Sequence, residues 1–406
     1  MKILLVSIAF PPKLDPECIQ TAKYFKYLSQ NENLTFQVIT SDTPTLFMPV
    51  DENLNSFDGV AQIIKVPIYE NRYSNVLLRK LNLPLIDKPD SKFSFHHQWK
   101  RVLKAVKKPD VIYSRAYPLS SAFMASKLAK YYGVPWVMHL SDPWTQSPYF
   151  DFSKKLMRFH KKKERELFEQ AYAISFTSQK TVSTYKNCYK EYTDKFLYYP
   201  NVYDPDLMNN DSISFNGKLR FVYTGGLAGK RSALTLLNSL KALRKSHADV
   251  LDKCEFIFAG DVDRHNLKFF NDFIDPSIKY IGQRSYQEAI DLQRSAHVLL
   301  LFEAPIEDKK FLMFFPSKLL DYYITRRRII AVTSPDSTAC EFVKENNLGN
   351  VVPYNNTGLM SKTILRCFDK FEKEDEGFFQ KSGEPIEEFS AKYNSDRLIK
   401  LFNEAV

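Results

Sequence analysis

The sequence predicts an α/β protein of two doubly wound parallel sheets in series, and three observations carry that expectation. Short apolar runs without helical period alternate with amphipathic stretches along the chain. The alternation breaks once, at PNVYDPDLMNNDSISFNG (200–217), where Pro, Asn and Asp gather and no regular element is expected. The 406 residues leave room for two to three domains of about 150 residues, each able to bury a core.

Before the break, MKILLVSIA (1–9), LTFQVIT (34–40), VAQIIKV (60–66), DVIYS (110–114), VPWVMHL (134–140) and YAISFT (172–177) read as buried parallel strands. Helices are expected over 17–29, 95–107 and 118–131 from the spacing of their apolar residues. After the break the strands are LRFVYT (219–224), EFIFAG (255–260), IKYIG (278–282), HVLLLFE (297–303) and RIIAV (328–332). Helices at 232–245, 264–273, 286–294, 317–325 and 336–346 separate or follow them. The division is therefore 1–200, a linker 201–217, and 218–385, each half a Rossmann-like unit, with a last helix over 386–406. In such sheets ligands sit beyond the carboxyl ends of the strands.

Composition narrows the class. Hydrophobic residues at 44% and charged residues at 26% are ordinary globular values that exclude disorder. No apolar run reaches the roughly 18 residues that span a bilayer, and the start MKILLVSIAFPPKLD lacks a signal-cleavage pattern. Five widely spaced cysteines without a CxxC pair argue against disulfides or zinc and for a cytoplasmic setting. The net charge of +10 is lopsided: residues 1–200 hold 29 basic and 18 acidic side chains, residues 201–406 hold 28 and 29. One half is expected to meet an anionic surface and the other not.

Glycine is scarce, 12 in all, so its gathering at Gly225, Gly226 and Gly229 in YTGGLAGKR carries information. A glycine loop between strand and helix lets free N–H groups approach a diphosphate, with Lys230 and Arg231 adding charge. The alternative is a plain tight turn. The spacing is neither that of a P-loop nor GxGxxG, which argues against ATP hydrolysis by the P-loop route and against the NAD fingerprint. In PSKLLDYYITRRR (316–328), Pro316 suits a first helical turn that frees the N–H groups of Ser317 and Lys318 for an anion. Asp321, one turn deeper on the same face, is placed to accept from ribose hydroxyls. Arg326, Arg327 and Arg328 are expected only to match the negative end of that helix.

YTGGLAGKR with FPSKLLDYY, FAGD (258–261) and YIGQRS (280–285) resembles the donor half of retaining glycosyltransferases of family four, which have the GT-B fold. KKPDVIYSRAYPLSSAFMASKLAKYYGVPWVMHLSDPW (107–144) resembles the acceptor half of a branch with an Asp-Pro-Trp turn. The resemblance implies two Rossmann-like domains facing across a cleft, with the last helix packing back on the first. It implies donor contacts from Gly225, Gly226, Lys230, Gln283, Arg284, Ser317 and Asp321, and catalytic roles for His139, Arg231 and Lys318. The acceptor side would hold Pro12, Lys13, Asp142 and Trp144. Two departures stand out: the family's Glu-x7-Glu pair falls on Met313 and Asp321, and its diphosphate-binding Arg falls on Gly226.

Each remaining polar candidate has a plainer reading beside it. His139 could touch the transferred sugar or be a satisfied structural side chain, and Asp142 could be a site carboxylate or a turn former before Pro143. Asp261-Val262-Asp263 has the form of a metal-binding DxD but falls where a helix cap is expected. No metal or cofactor is therefore expected, the leaving diphosphate being stabilised by cations and N–H groups.

Residues 69–108 carry ten basic against three acidic side chains, interleaved with aromatics, and 154–165 carries seven against one. Basic side chains facing anionic lipid contribute about 1 kcal/mol each, so peripheral binding to the inner face of the cell membrane is expected, and no nucleic acid. The 154–165 stretch is otherwise a solvated helix face. The expected activity is sugar transfer from a nucleotide diphosphate sugar to a lipid-linked or glycan acceptor in surface-polysaccharide biosynthesis. The alternatives are a sugar-nucleotide epimerase of the same fold and a non-catalytic scaffold.

Overall fold

The computed structural model describes residues 1–42, 48–54, 57, 59–71, 73, 76–77, 87–148, 152–209, 211–306, 312–381 and 383–406. Two compact units form. One comprises Met1–Asp204, Met313–Ser317 and Glu387–Val406, the other Pro205–Leu312 and Lys318–Ile386.

The first unit holds seven parallel strands: β1 (Lys2–Val6), β2 (Thr35–Ser41), β3 (Gln62–Val66), β4 (Val111–Ala116), β5 (Trp136–Leu140), β6 (Ala173–Phe176) and β7 (Phe196–Tyr198). Their order is β3-β2-β1-β4-β5-β6-β7, so the winding reverses between β1 and β4. Both faces are covered: Leu4 and Val6 enter one core, Ile3 and Leu5 the other. That is why the central strands read as apolar runs instead of alternating ones, while the edge strand β3 keeps Gln62 and Lys65 exposed. Helix α1 (Pro16–Leu28) starts at Asp15, whose carboxylate accepts from Cys18 N–H at 2.7 Å, with Pro16 in its first turn. Helix α2 (Ser120–Tyr132) ends at Gly133, whose φ of 64° closes the last turn. Helix α3 (Lys154–Gln170) is capped by Ser153.

The helix expected over 95–107 is a correction. The chain forms two single turns, Ser94–His97 and Trp99–Val102. Between them Gln98 turns its side-chain amide onto the carbonyls of Pro67 (2.6 Å) and Ser94 (3.1 Å), competing with a continuous helical ladder. The final helix (Ala391–Ala405) belongs to this unit. Its Ala391, Leu398, Leu401 and Phe402 share a core with Tyr24, Phe25 and Leu28 of α1, and Ser395 Oγ donates to Tyr24 O at 3.1 Å.

The second unit has six parallel strands: β8 (Leu219–Thr224), β9 (Cys254–Ala259), β10 (Ile278–Gly282), β11 (Val298–Phe302), β12 (Arg328–Val332) and β13 (Gly349–Val352). Their order, β10-β9-β8-β11-β12-β13, places the switch point between β8 and β11. Leu219, Phe221 and Tyr223 of β8 pack with Val298, Leu300 and Phe302 of β11 under the helix Leu234–Ser246. The helix expected over 317–325 is shorter, Lys318–Ile324, with Ser317 outside it.

Candidate active site

In the second unit the polar groups converge at the carboxyl ends of β8, β9 and β11. Gly225 N–H donates to Ala259 O at 2.7 Å, and Leu227 N–H to Asp261 O at 2.9 Å, so the loops after β8 and β9 run against each other. Glycine is required on both: a side chain on Gly260, at φ 146°, would overlap the Gly225 carbonyl, and one on Gly225, at φ 129°, would overlap the Lys318 ammonium. Among the described residues, the N–H groups of Gly226 and Ala228 donate to no protein acceptor.

Lys318 reaches this loop from the short helix. Its Nζ donates to Thr224 O at 2.9 Å and Tyr223 OH at 3.3 Å, and lies 4.6 Å from the centre of the Tyr223 ring. Burial, then repulsion from Arg231, lowers its pKa to about 7, against an opposing pull from Asp321. Arg231 and Lys230 are exposed, and Asp321 is buried to 8% exposure. Two cations close enough to repel, beside unused N–H donors, suit an anion.

Glu303, which the sequence reading passed over, closes β11 on the same edge. Its carboxylate accepts from Thr333 Oγ1, and burial raises its pKa against the pull of Arg231. An acidic residue ending the buried run HVLLLF was the signal. Gln283 is exposed after β10 at the far edge of the sheet, and Arg284 folds onto the Gln283 carbonyl at 2.9 Å. Ser317, half-buried, groups with the first unit. Met313, where a first carboxylate was sought, is buried.

Asp263 is a helix cap: its Oδ1 accepts from Asn266 N–H at 2.8 Å and its Oδ2 from Gly229 N–H at 2.7 Å. One of the three loop glycines thus gives its N–H to Asp263. Among the described residues no three His, Cys, Asp or Glu side chains gather as metal ligands would.

A groove of about 630 Å³ lies at the opposite, amino ends of β8, β11 and β12, lined by Arg220, Arg294, His297 and Arg327 among others. Arg327, 4% exposed, donates to Arg294 O at 3.1 Å, the carbonyl ending the helix Tyr286–Arg294, and Arg220 pairs with Glu255. Arg327 therefore matches the dipole of a different helix from the one expected, and Arg328 binds Phe378 O and Asn350.

In the first unit, three of the residues read from the sequence prove inaccessible. His139, on β5, has no exposed surface; its Nδ1 shares a hydrogen bond of 2.9 Å with Ser175 Oγ, and burial and Arg115 hold its pKa well below the ordinary value. A strand of a sheet covered on both faces offers no open side. Trp144 is fully buried and its Nε1 donates to His160 Nδ1 at 3.0 Å. Lys13, 3% exposed, donates to Thr40 Oγ1 and Ser41 O, and burial lowers its pKa to about 8. Pro12 is half-buried beside it. Asp142 remains open.

The basic helix α3 also departs from a purely solvated face, because His160 and Glu164 point inward with no exposure. Glu164 accepts from Thr145 N–H (3.0 Å), Tyr185 OH (2.9 Å), Tyr189 OH (2.5 Å) and the Thr145 hydroxyl.

The sequence matches no protein-family model and none of the curated proteins. Solved structures do match. The chain is similar to Anabaena HepE in complex with UDP, at 12% identity and TM-score 0.64 over 100% of both chains. It is similar to sucrose-phosphate synthase from Thermosynechococcus elongatus, at 11% identity and TM-score 0.63, covering 100% of this chain and 98% of that one. It is also similar to a putative UDP-N-acetylglucosamine 2-epimerase from Listeria monocytogenes, at 11% identity and TM-score 0.61, covering 100% and 97%. With two parallel Rossmann-like sheets in series and these neighbours over the whole chain, the protein has the GT-B fold.

Proposed function

We propose that the protein is a retaining, metal-independent glycosyltransferase that takes a sugar from a nucleotide diphosphate donor to a lipid-linked or glycan acceptor. The observation that carries this is the meeting of Lys318 and Arg231 with the unused N–H groups of Gly226 and Ala228 at the β8 carboxyl end. Such an edge can hold a diphosphate and stabilise it as it leaves. HepE, of the same fold, has been seen with UDP and with UDP-glucose, which makes a uridine nucleotide the first donor to try. The retaining outcome and a role in surface-polysaccharide synthesis rest on the sequence resemblance. The test is donor turnover: purified protein should release nucleoside diphosphate from an activated sugar with EDTA present, and strict dependence on manganese would refute the metal-free reading. An epimerised sugar nucleotide as the sole product would select the epimerase instead.

The basic surface supports peripheral attachment to anionic lipid. Lys100, Arg101 and Lys104 are exposed, while Arg79 and Lys80 lie outside the described residues. Among the described residues no helix is long and apolar enough to cross a membrane. Neutralising Lys100, Arg101 and Lys104 together should weaken binding to vesicles rich in anionic lipid and leave donor affinity intact. Equal binding of the unaltered protein to neutral vesicles would refute the electrostatic attachment.

A further inference from the structure

The groove at the amino ends of β8, β11 and β12 lies wholly in the second unit, and its volume of about 630 Å³ is that of a small-molecule site. Strand β8 has six residues, so at about 3.3 Å per residue this end is roughly 17–20 Å from the glycine loop. The two places are separate. Four cationic side chains line the groove, Lys218, Arg220, Arg294 and Arg327, against two carboxylates, Asp211 and Asp291. Glu255, the partner of Arg220, is shared with Lys279, so the positive excess stays.

Arg327 stands out among these cations. It is enclosed, and its three hydrogen bonds all go to uncharged oxygens: Nε to Arg294 O at 3.1 Å, Nη1 to Gln380 Oε1 at 3.1 Å and Nη2 to Asp211 O at 3.4 Å. Among the described residues it forms no ion pair. Burial lowers its pKa against the weaker pull of Asp211 and Glu376. A guanidinium still keeps its proton, and an enclosed charge without a paired counter-charge is costly. Capping the helix Tyr286–Arg294 accounts for the Nε bond, but an uncharged donor would serve that purpose equally.

Arg294 adds unused donors beside it. Its Nη2 donates to Leu207 O at 3.0 Å, while its Nε, shielded from solvent, has no acceptor among the described residues. A guanidinium carries five N–H groups, so most of the Arg294 fork and part of the Arg327 fork remain available. His297 is a wall and not a ligand. Its Nδ1 accepts from Arg220 N–H at 2.9 Å, which leaves the proton on Nε2, and Nε2 donates to Ser214 O at 2.6 Å. That bond holds the chain before β8 along the rim of the groove.

We infer that this groove is an anion site separate from the β8 carboxyl edge, taking a phosphate group on the guanidinium groups of Arg294 and Arg327. A phosphate brings close to two negative charges and three acceptor oxygens. That answers two guanidinium groups even with Asp211 and Asp291 nearby, which a single carboxylate does not. It supplies the paired counter-charge that Arg327 otherwise lacks, and the groove has room for a molecule carrying the phosphate. The site is independent of the sugar-transfer reading, because it needs neither the donor nor its turnover.

The experiment uses the full chain carrying Lys318→Met, which weakens anion binding at the β8 edge, and follows binding by calorimetry at constant ionic strength. The probes are inorganic phosphate, glucose 1-phosphate and citrate. Both phosphates should bind, with citrate at least tenfold weaker. Tighter binding of glucose 1-phosphate than of inorganic phosphate assigns the groove to an organic phosphate, and equal binding assigns it to the phosphate group alone. Adding Arg294→Gln should weaken both phosphates by about tenfold or more, as the loss of charged hydrogen bonds does. Ser212→Glu, at an exposed position on the rim, should weaken them by about threefold or more. Phosphate affinity within twofold of the parent in a folded Arg294→Gln would overturn the inference; if that variant does not fold, Ser212→Glu decides by the same criterion. No binding of either phosphate up to about 10 mM, or citrate bound as tightly as the phosphates, would overturn it as well.

Discussion

The Lys318 ammonium occupies the space that a side chain on residue 225 would fill, and donates to the carbonyl of Thr224 just before it at 2.9 Å. The glycine and the lysine, 93 positions apart in sequence, therefore define one another. Gly225→Ala should displace the ammonium, because the lysine tip is the part free to move, and should also strain a backbone held at φ 129° by about 1–3 kcal/mol. Donor affinity is expected to fall by tenfold or more with a modest loss of melting temperature. Unchanged affinity for UDP-glucose would remove Lys318 from the donor site.

Lys318 also sets a pH dependence. Its pKa in the fold is about 7, whereas in the unfolded chain it is near 10.4. Between those values the unfolded chain holds one proton more, so the free protein gains stability as pH rises. A bound diphosphate favours the charged lysine, so affinity for UDP-glucose should fall by up to about tenfold per pH unit above 7. Binding at pH 8 should take up a proton, measurable by calorimetry in buffers of different ionisation enthalpy. Lys318→Met should abolish the uptake; an affinity flat from pH 6 to 9 would contradict the assignment.

Glu164 anchors the Asp142 turn through four donors. Glu164→Gln leaves one oxygen and turns an amide NH₂ toward groups that donate, so a loss of about 2–4 kcal/mol is expected. Trp99, Trp136 and Trp144 all lie in the first unit, which lets tryptophan fluorescence in urea follow that unit by itself. A loss below about 1 kcal/mol would mean that the network is not what holds the turn.

Asp263 separates the cap from the metal reading. Its pKa is lowered first by Asn266 N–H and then by Gly229 N–H, so its contribution to stability is present above the ordinary carboxylate range and fades as pH falls below it. Asp263→Ala should lower the melting temperature while turnover stays insensitive to EDTA. Manganese-dependent turnover that Asp263→Ala abolishes would restore the carboxylate as a ligand.

What the sequence determined by itself was the order of β1 to β6 and of β8 to β12 with most of the helices between them; the short edge strands β7 and β13 and the helices Gln179–Cys188 and Thr357–Glu372 were not among the expected elements. Ile3, Leu4, Leu5 and Val6 are apolar in succession because both faces of their strand are covered, and LRFVYT and RIIAV coincide with β8 and β12 for the same reason, whereas IKYIG is the edge strand β10 and leaves Lys279 and Tyr280 exposed. The glycine loop at 225–229 was legible too, since scarce glycines at a strand end mark a place where backbone must come close. The tertiary structure alone decided which polar side chains are free. His139, Trp144 and Lys13 look like site residues in sequence and are enclosed by partners contributed from distant segments. Glu164 sits among lysines that suggest solvent, yet faces two tyrosines and Thr145 across a buried interface. Burial and partnership depend on where the chain returns, and hydrogen-bond donors brought together across dozens of residues leave no local pattern.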